Sequence, residues 1–230
     1  MLEQVVKFDQ SLTLALNGSD SLFLDGFALG ITATVTWLPA VVVLLYVIIR
    51  AGEMRDICLT VLALALCILL ADQVASGIFK PLVARPRPAG DPSLMYLVDV
   101  VGGYRGGKYG FFSSHASNTF AVAVFLSLLV RHKPFTWVLL SWALLNCWSR
   151  VYLGVHYVGD ILAGIVWGVV VGCSVYWGYR KIIPLRVRVN VANANVRTVS
   201  GFILDDVRWL MITLLLLYCY CCVRGFLFQG

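Results

Sequence analysis

Six runs of apolar residues, at 27–49, 57–79, 111–130, 135–148, 158–179 and 209–223, constrain this chain more than any other feature of it. A helix needs about 20 residues to cross the hydrocarbon core of a bilayer. Lipid also offers no partner for the unpaired N–H and C=O groups of an open strand edge. The runs therefore predict an all-α fold, a polytopic membrane helical bundle of about six transmembrane helices. The fourth run reaches full length only by borrowing residues 149–153, and Arg208 and Arg224 bracket the short sixth. Composition agrees: 60% of residues are hydrophobic and 13% charged, with a mean hydropathy of +0.85. A soluble domain is about half apolar and a quarter charged.

The runs divide the chain. Residues 1–26 form an N-terminal segment in which Leu2, Val5, Val6, Leu12, Leu14 and Leu16 suit a helix lying at the interface, or equally a lead-in that packs on the bundle. Lys7, Asp9, Gln10 and Asn17 interrupt it, so it does not read as a cleavable signal. Residues 27–180 form the membrane core, and residues 181–230 a cytoplasmic basic linker and a sixth span. Arg50 and Arg55, then Arg131 and Lys133, then Arg180, Lys181, Arg186, Arg188 and Arg197 all fall on one side, which the positive-inside rule makes cytoplasmic. The expected setting is a bacterial inner membrane.

The net charge of +6 and the isoelectric point near 9.0 do not imply nucleic acid. The cations are spread over loops between spans, where anionic lipid is the natural partner. Of the seven cysteines, Cys58, Cys67, Cys147 and Cys173 sit singly inside spans and read as small core residues, while Cys219, Cys221 and Cys222 cluster near the end of the sixth. They suggest neither a disulfide framework nor a metal site.

Three short stretches emerge on the outer side under this topology. The first is Lys80-x6-Arg87-Pro88, which follows the second span directly, with Pro81, Pro86 and Pro88 expected to stop the helix. A rigidly presented arginine fork and a lysine point charge suit phosphate oxygens, though alone they also describe a basic turn among lipid head groups. The second is Ser113-Ser114-His115, at the start of the third span. A helix N-terminus attracts anions, a serine there caps the helix or donates to phosphate, and a histidine can protonate a leaving oxygen. A plain N-cap beside an interfacial histidine is the alternative. The third is Ser149-Arg150-x5-His156-x3-Asp160. His156 and Asp160, four apart, share a helix face if the fifth helix begins near His156. A carboxylate on one ring nitrogen leaves the other free to attack, or the pair merely stabilises the helix start. Clustered cations disfavour a divalent metal here, and the third histidine, His132, lies on the opposite face.

Together these stretches resemble the type-2 phosphatidic acid phosphatase superfamily, membrane lipid phosphate phosphatases related to vanadium haloperoxidases. Its signature is K-x6-R-P, then P-S-G-H, then S-R-x5-H-x3-D. The first and third parts match at Lys80, Arg87, Pro88, Ser149, Arg150, His156 and Asp160. In the second, Ser113 and His115 match, whereas Phe112 stands for proline and Ser114 for glycine. The resemblance covers roughly residues 20–180 and implies a phosphatase/haloperoxidase-like core without a cofactor or metal. It implies that His156 attacks phosphorus to form a phosphohistidine steadied by Asp160. His115 would protonate the departing lipid oxygen, while Lys80, Arg87, Ser113, Ser114 and Arg150 hold the phosphate. The implied partner is a phosphorylated lipid among the membrane lipids: undecaprenyl pyrophosphate, a lipid A phosphate, phosphatidylglycerol phosphate or phosphatidic acid. A non-catalytic lipid-binding or transport protein is the alternative, and the sequence leaves oligomeric state open.

Two further features lie on the same side. The basic, glycine-rich 102–108 segment suits either a cover over a polar head group or a plain linker. Asp72, Ser76 and Lys80 share a helix face, which suggests that Asp72 helps orient the cations.

Overall fold

The computed structural model describes residues 2–183 and 196–229. Arg186 and Arg188, two of the cations that orient the chain, lie outside the described residues. Among those described, α1 (Leu2–Leu16), α2 (Leu22–Thr32), α3 (Leu38–Ala51), α4 (Met54–Asp72), α5 (Lys80–Val83), α6 (Ser114–Val130), α7 (Lys133–Tyr152), α8 (Val158–Ile182) and α9 (Leu204–Leu227) follow in order, with no strand. The stretches Thr34–Ala51, Met54–Val83, Val158–Ile182 and Leu204–Leu227 are long and apolar enough to cross a membrane. With the 17 residues of α6 and the 20 of α7 they make a six-membered bundle. The protein is an integral membrane protein.

Helix α6 lies at the centre, packed against α4, α7 and α8. Ala116, Phe120, Ala121, Ala123, Phe125 and Leu126 bury it on every side, as expected for a helix apolar all round. It meets α8 along Gly164, Gly168 and Gly172. A Cβ on these residues would stand 2.6, 2.5 and 2.7 Å from the carbonyl oxygens of Ser113, Ser117 and Ala121. In lipid, where burial of apolar surface does not drive helices together, such backbone approach supplies the packing.

Three spans differ from the sequence reading. The run at 27–49 is not one helix. It breaks at Ala33 (φ −73°, ψ 115°) and resumes through a 3₁₀ turn, Thr34–Trp37, into α3. Pro39 has no N–H for the carbonyl four residues back, so an unbroken helix is penalised there. Thr36 Oγ1 and Trp37 Nε1 instead donate to the Gly30 and Ile31 carbonyls at 2.8 and 2.9 Å. Pro81 does not stop the second span: the chain widens into π turns over Gln73–Phe79 and continues through Val83 to a left-handed cap at Ala84 (φ 49°). Lys80 is therefore helical. The sixth span is longer than its apolar run, at 24 residues. Of the cysteines read as core, Cys67 and Cys147 are buried, whereas Cys58 and Cys173 are exposed on the bundle's outer surface.

Candidate functional site

The C-terminal ends of the second span and α7, and the N-terminal ends of α6 and α8, meet at one end of the bundle. Lys80, on the last turn of the second span, donates from Nζ to Ser114 Oγ, and to Ser76 Oγ at 3.1 Å. Ser76 Oγ lies 2.9 Å from Ser114 Oγ and donates to Asp72 Oδ1 at 3.3 Å. Asp72, Ser76 and Lys80 thus form the connected file that their spacing predicts. Ser113, fully buried, is the N-cap of α6, and its Oγ accepts from Ala116 N–H at 3.4 Å. Ser113 thus takes the capping role that the sequence left open to either serine, while Ser114 Oγ accepts from Lys80 Nζ. Phe112, at the family's proline position, is buried against Phe79 with ring centroids 5.2 Å apart.

Arg87 leaves the helix end on extended backbone (φ −77°, ψ 157°). Its Nη1 donates to the Val155 carbonyl at 3.0 Å and lies 3.2 Å from His156 Nε2. A guanidinium only donates, so Nε2 is the acceptor, and the ring proton sits on Nδ1. Nδ1 faces Asp160 Oδ2 at 3.6 Å, beyond hydrogen-bond length, and the Gly110 backbone lies against the same ring. His156 is not on α8. The helix begins at Val158 with Tyr157 as its cap, and Asp160 Oδ2 accepts from Tyr157 N–H at 3.1 Å. Asp160 is thereby folded back towards the turn, and the pair meets through this cap rather than through one helix face.

Arg150, 3% exposed on the last turn of α7, donates from Nη1 to Thr32 Oγ1 at 2.7 Å and Tyr104 Oη at 2.8 Å. His115, on the first turn of α6, lies within electrostatic reach of Arg150, His156, Lys80 and Arg87. Ser149 Oγ turns back to the Asn146 carbonyl at 2.8 Å and does not reach the cluster. Burial, with Arg87, Arg150 and Lys80 nearby, holds the His156 pKa well below the ordinary 6.5. Burial and Arg150 bring Arg87 down to about 10, so it stays cationic at neutral pH. The 102–108 segment covers the cluster. Besides Tyr104 on Arg150, a Cβ at Gly106 would stand 2.2 Å from Arg87 Nη1, so the backbone lies directly on that guanidinium and a larger residue would displace it.

Arg85 and Asp9 went unassigned in the sequence reading. Arg85 Nη1 donates to Asp160 Oδ1 at 2.9 Å and Nη2 to Asp9 Oδ2 at 2.7 Å. The signal for Arg85 was its place between Pro86 and the helix end, two residues before Arg87. Asp9 offered none, because its partner lies 76 residues away. Chemically the site joins a neutral imidazole, a buried carboxylate behind it and three cations in front, an arrangement suited to nucleophilic attack on a phosphoryl group.

The chain is similar to known membrane phosphatases. The chain is 39% identical to a lipid A 4'-phosphatase of Porphyromonas gingivalis over 178 residues, 77% of this chain and 75% of that one. It is 37% identical to a lipid A 4'-phosphatase of Bacteroides thetaiotaomicron over 79% of this chain and 81% of that one. The fold is similar to the crystal structure of a transmembrane PAP2-type phosphatidylglycerolphosphate phosphatase from Bacillus subtilis, with a TM-score of 0.59 and 27% identity over 80% of this chain and 90% of that one. The PAP2 superfamily profile matches residues 57–184, the stretch that runs from the start of α4 through every cation and histidine of the cluster. With profile, relatives and fold in agreement, the chain belongs to the PAP2 superfamily.

Proposed function

We propose that this membrane lipid phosphatase removes a phosphate from lipid A, or from a closely similar phosphorylated glycolipid, on the outer side of a bacterial inner membrane. The observation that carries the chemistry is the His156 ring, with Nε2 towards the Arg87 guanidinium and Nδ1 towards Asp160. The lone pair that Arg87 engages is the one that would face phosphorus when phosphate stands between them.

In the proposed reaction Nε2 attacks phosphorus and an N–P bond forms. The bond to the lipid oxygen breaks, and its electron pair takes a proton from His115. Asp160 balances the charge on the phosphorylated ring. Arg87, Arg150 and Lys80 hold the non-bridging oxygens, with Ser114 Oγ and the free backbone N–H groups at the start of α6, for which Ser113 supplies the cap. Water then attacks phosphorus, His115 takes its proton, and phosphate leaves with His156 restored. The choice of lipid A is supported by the two lipid A 4'-phosphatase relatives at 39% and 37% identity. The outward orientation rests on Arg50, Arg55, Arg131, Lys133, Arg180 and Lys181, at helix ends remote from the cluster.

The test is phosphate release by the purified protein in EDTA from a panel of lipid A, phosphatidylglycerol phosphate and undecaprenyl pyrophosphate. Lipid A is expected to lose phosphate fastest, and His156→Ala is expected to abolish release. Preference for phosphatidylglycerol phosphate would move the substrate towards that of the structural neighbour. Undiminished turnover by His156→Ala would defeat the mechanism.

A further inference from the structure

We propose that Arg85 and Asp9 are positioning residues for the His156–Asp160 pair, so that the N-terminal helix α1 completes the active site. The inference rests on the reading of His156 as the group that attacks phosphorus.

The two oxygens of Asp160 are divided between partners. Oδ2 accepts from Tyr157 N–H and faces the His156 ring, while Oδ1 accepts from Arg85 Nη1 at 2.9 Å. Arg85 is held on its other side by Asp9 Oδ2 at 2.7 Å. The second oxygen of Asp9 accepts from Gly159 N–H at 2.8 Å, and Thr13 Oγ1 on the same helix accepts from Val158 N–H at 3.1 Å. The free N–H groups of Val158 and Gly159 that open α8 are thus met by α1, two and three residues after His156 and immediately before Asp160. A Cβ at Gly159 would stand 2.9 Å from Asp9 Oδ2, so the Asp9 carboxylate lies directly against the α8 backbone there. The Arg85 guanidinium also lies 3.7 Å from the ring centre of buried Tyr157, whose hydroxyl donates to Asp91 at 2.6 Å. The plane of Arg85 is fixed from three directions.

This separates Arg85 from the other cations of the cluster. Two carboxylates occupy its guanidinium, so it is not a phosphate ligand. Alone it would cancel the charge of Asp160. With Asp9 present, the group Asp9–Arg85–Asp160 keeps one net negative charge behind His156, opposite Lys80, Arg87 and Arg150. That charge steadies the imidazolium formed when phosphorus is attacked. Glu3 and Lys7, six and two residues before Asp9 on α1, pair with each other in solvent at 2.7 Å and do not face the group.

Asp9→Asn, which keeps the shape of the side chain, and Arg85→Gln, which shortens it, test the idea in the full-length protein because they change charge in opposite senses. Asp9→Asn leaves more positive charge near His156, so its imidazole is expected to titrate at lower pH. Arg85→Gln is expected to move it higher. The readout is a proton–nitrogen NMR titration in detergent micelles, with His156 assigned by its loss in His156→Ala. On lipid A both variants are expected to lower kcat by about tenfold to a hundredfold, as for a misplaced catalytic group, with KM nearly unchanged. Lys7→Gln should match the wild type throughout. Unshifted His156 titration in both variants overturns the proposal, as does a shift of the same sign in both, which a merely structural role produces. If His156→Ala is inactive while both variants keep wild-type kcat, the mechanism stands and the positioning role fails. Full activity of His156→Ala would instead remove the reading on which the role rests.

Discussion

At His156 the decisive quantity is the proton inventory. A guanidinium 3.2 Å from Nε2 fixes the tautomer, and burial with three nearby cations keeps the ring neutral well below pH 6.5. Since attack needs the neutral ring, activity survives as pH falls through the ordinary histidine range. The acidic limb of kcat/KM, which reports the free enzyme, is expected below 6.5. Replacing Lys80 with Gln removes one opposing charge, so the limb should move to higher pH. A wild-type limb at or above 6.5, or one that ignores Lys80→Gln, would refute this. That Lys80, Arg87, His156 and Asp160 gather at one end of the bundle was legible from the order of the spans, because each sits on or beside a helix end; how His156 meets Asp160, through the Tyr157 cap, was not. Serine was less legible. Ser113 and Ser114 look alike in sequence, yet a fraction of a helical turn makes one a cap and sends the other to Lys80. Asp9 was not legible, since nothing local marks a carboxylate whose partner comes from another element.

At the scale of elements, the site depends on how closely α6 and α8 lie, because each carries one histidine stretch at its N-terminus. The glycines of α8 set that distance. Gly168→Ala would place a methyl 2.5 Å from the Ser117 carbonyl oxygen, a backbone atom that cannot rotate away. It is expected to destabilise the protein by about 1–3 kcal/mol, as overpacking does, and to lower activity by separating the two stretches. Gly178, on the same helix with nothing within 4 Å of its Cβ position, is the control and should tolerate alanine. Unfolding midpoints in mixed micelles compare the two, and equal midpoints would contradict the packing argument. The four-residue spacing of Gly164, Gly168 and Gly172 was visible in the sequence, but only the partner helix shows which glycines touch a neighbour. The break at Ala33 leaves no mark in hydropathy, which stays high across the 27–49 run despite Thr32, Thr34, Thr36 and Pro39. Hydropathy reports burial in lipid, while the helix ends where Pro39 removes a donor and Thr36 and Trp37 supply replacements.

For the whole molecule, the cluster of histidines and cations lies at one end of the bundle and the basic turns at the other. The proposed orientation predicts that, in a cysteine-free background, Tyr96→Cys reacts with a membrane-impermeant maleimide in intact cells. Met54→Cys should react only after permeabilisation; the reverse pattern would invert the topology. Both positions are exposed, at 87% and 74%, so access to the reagent decides the result. The sequence alone determined that the chain is a helical membrane bundle and that three separated stretches bear a resemblance to the signature of the PAP2 superfamily. Run length and fixed motif spacing are properties of the chain itself, and lipid permits few other folds. Only the tertiary structure decided how the stretches are braced: Asp160 against a cap, Arg85 between two carboxylates, and α1 against the opening turn of α8. These contacts join residues distant in sequence, and their strength comes from burial and exact separation, which exist only once the helices are packed.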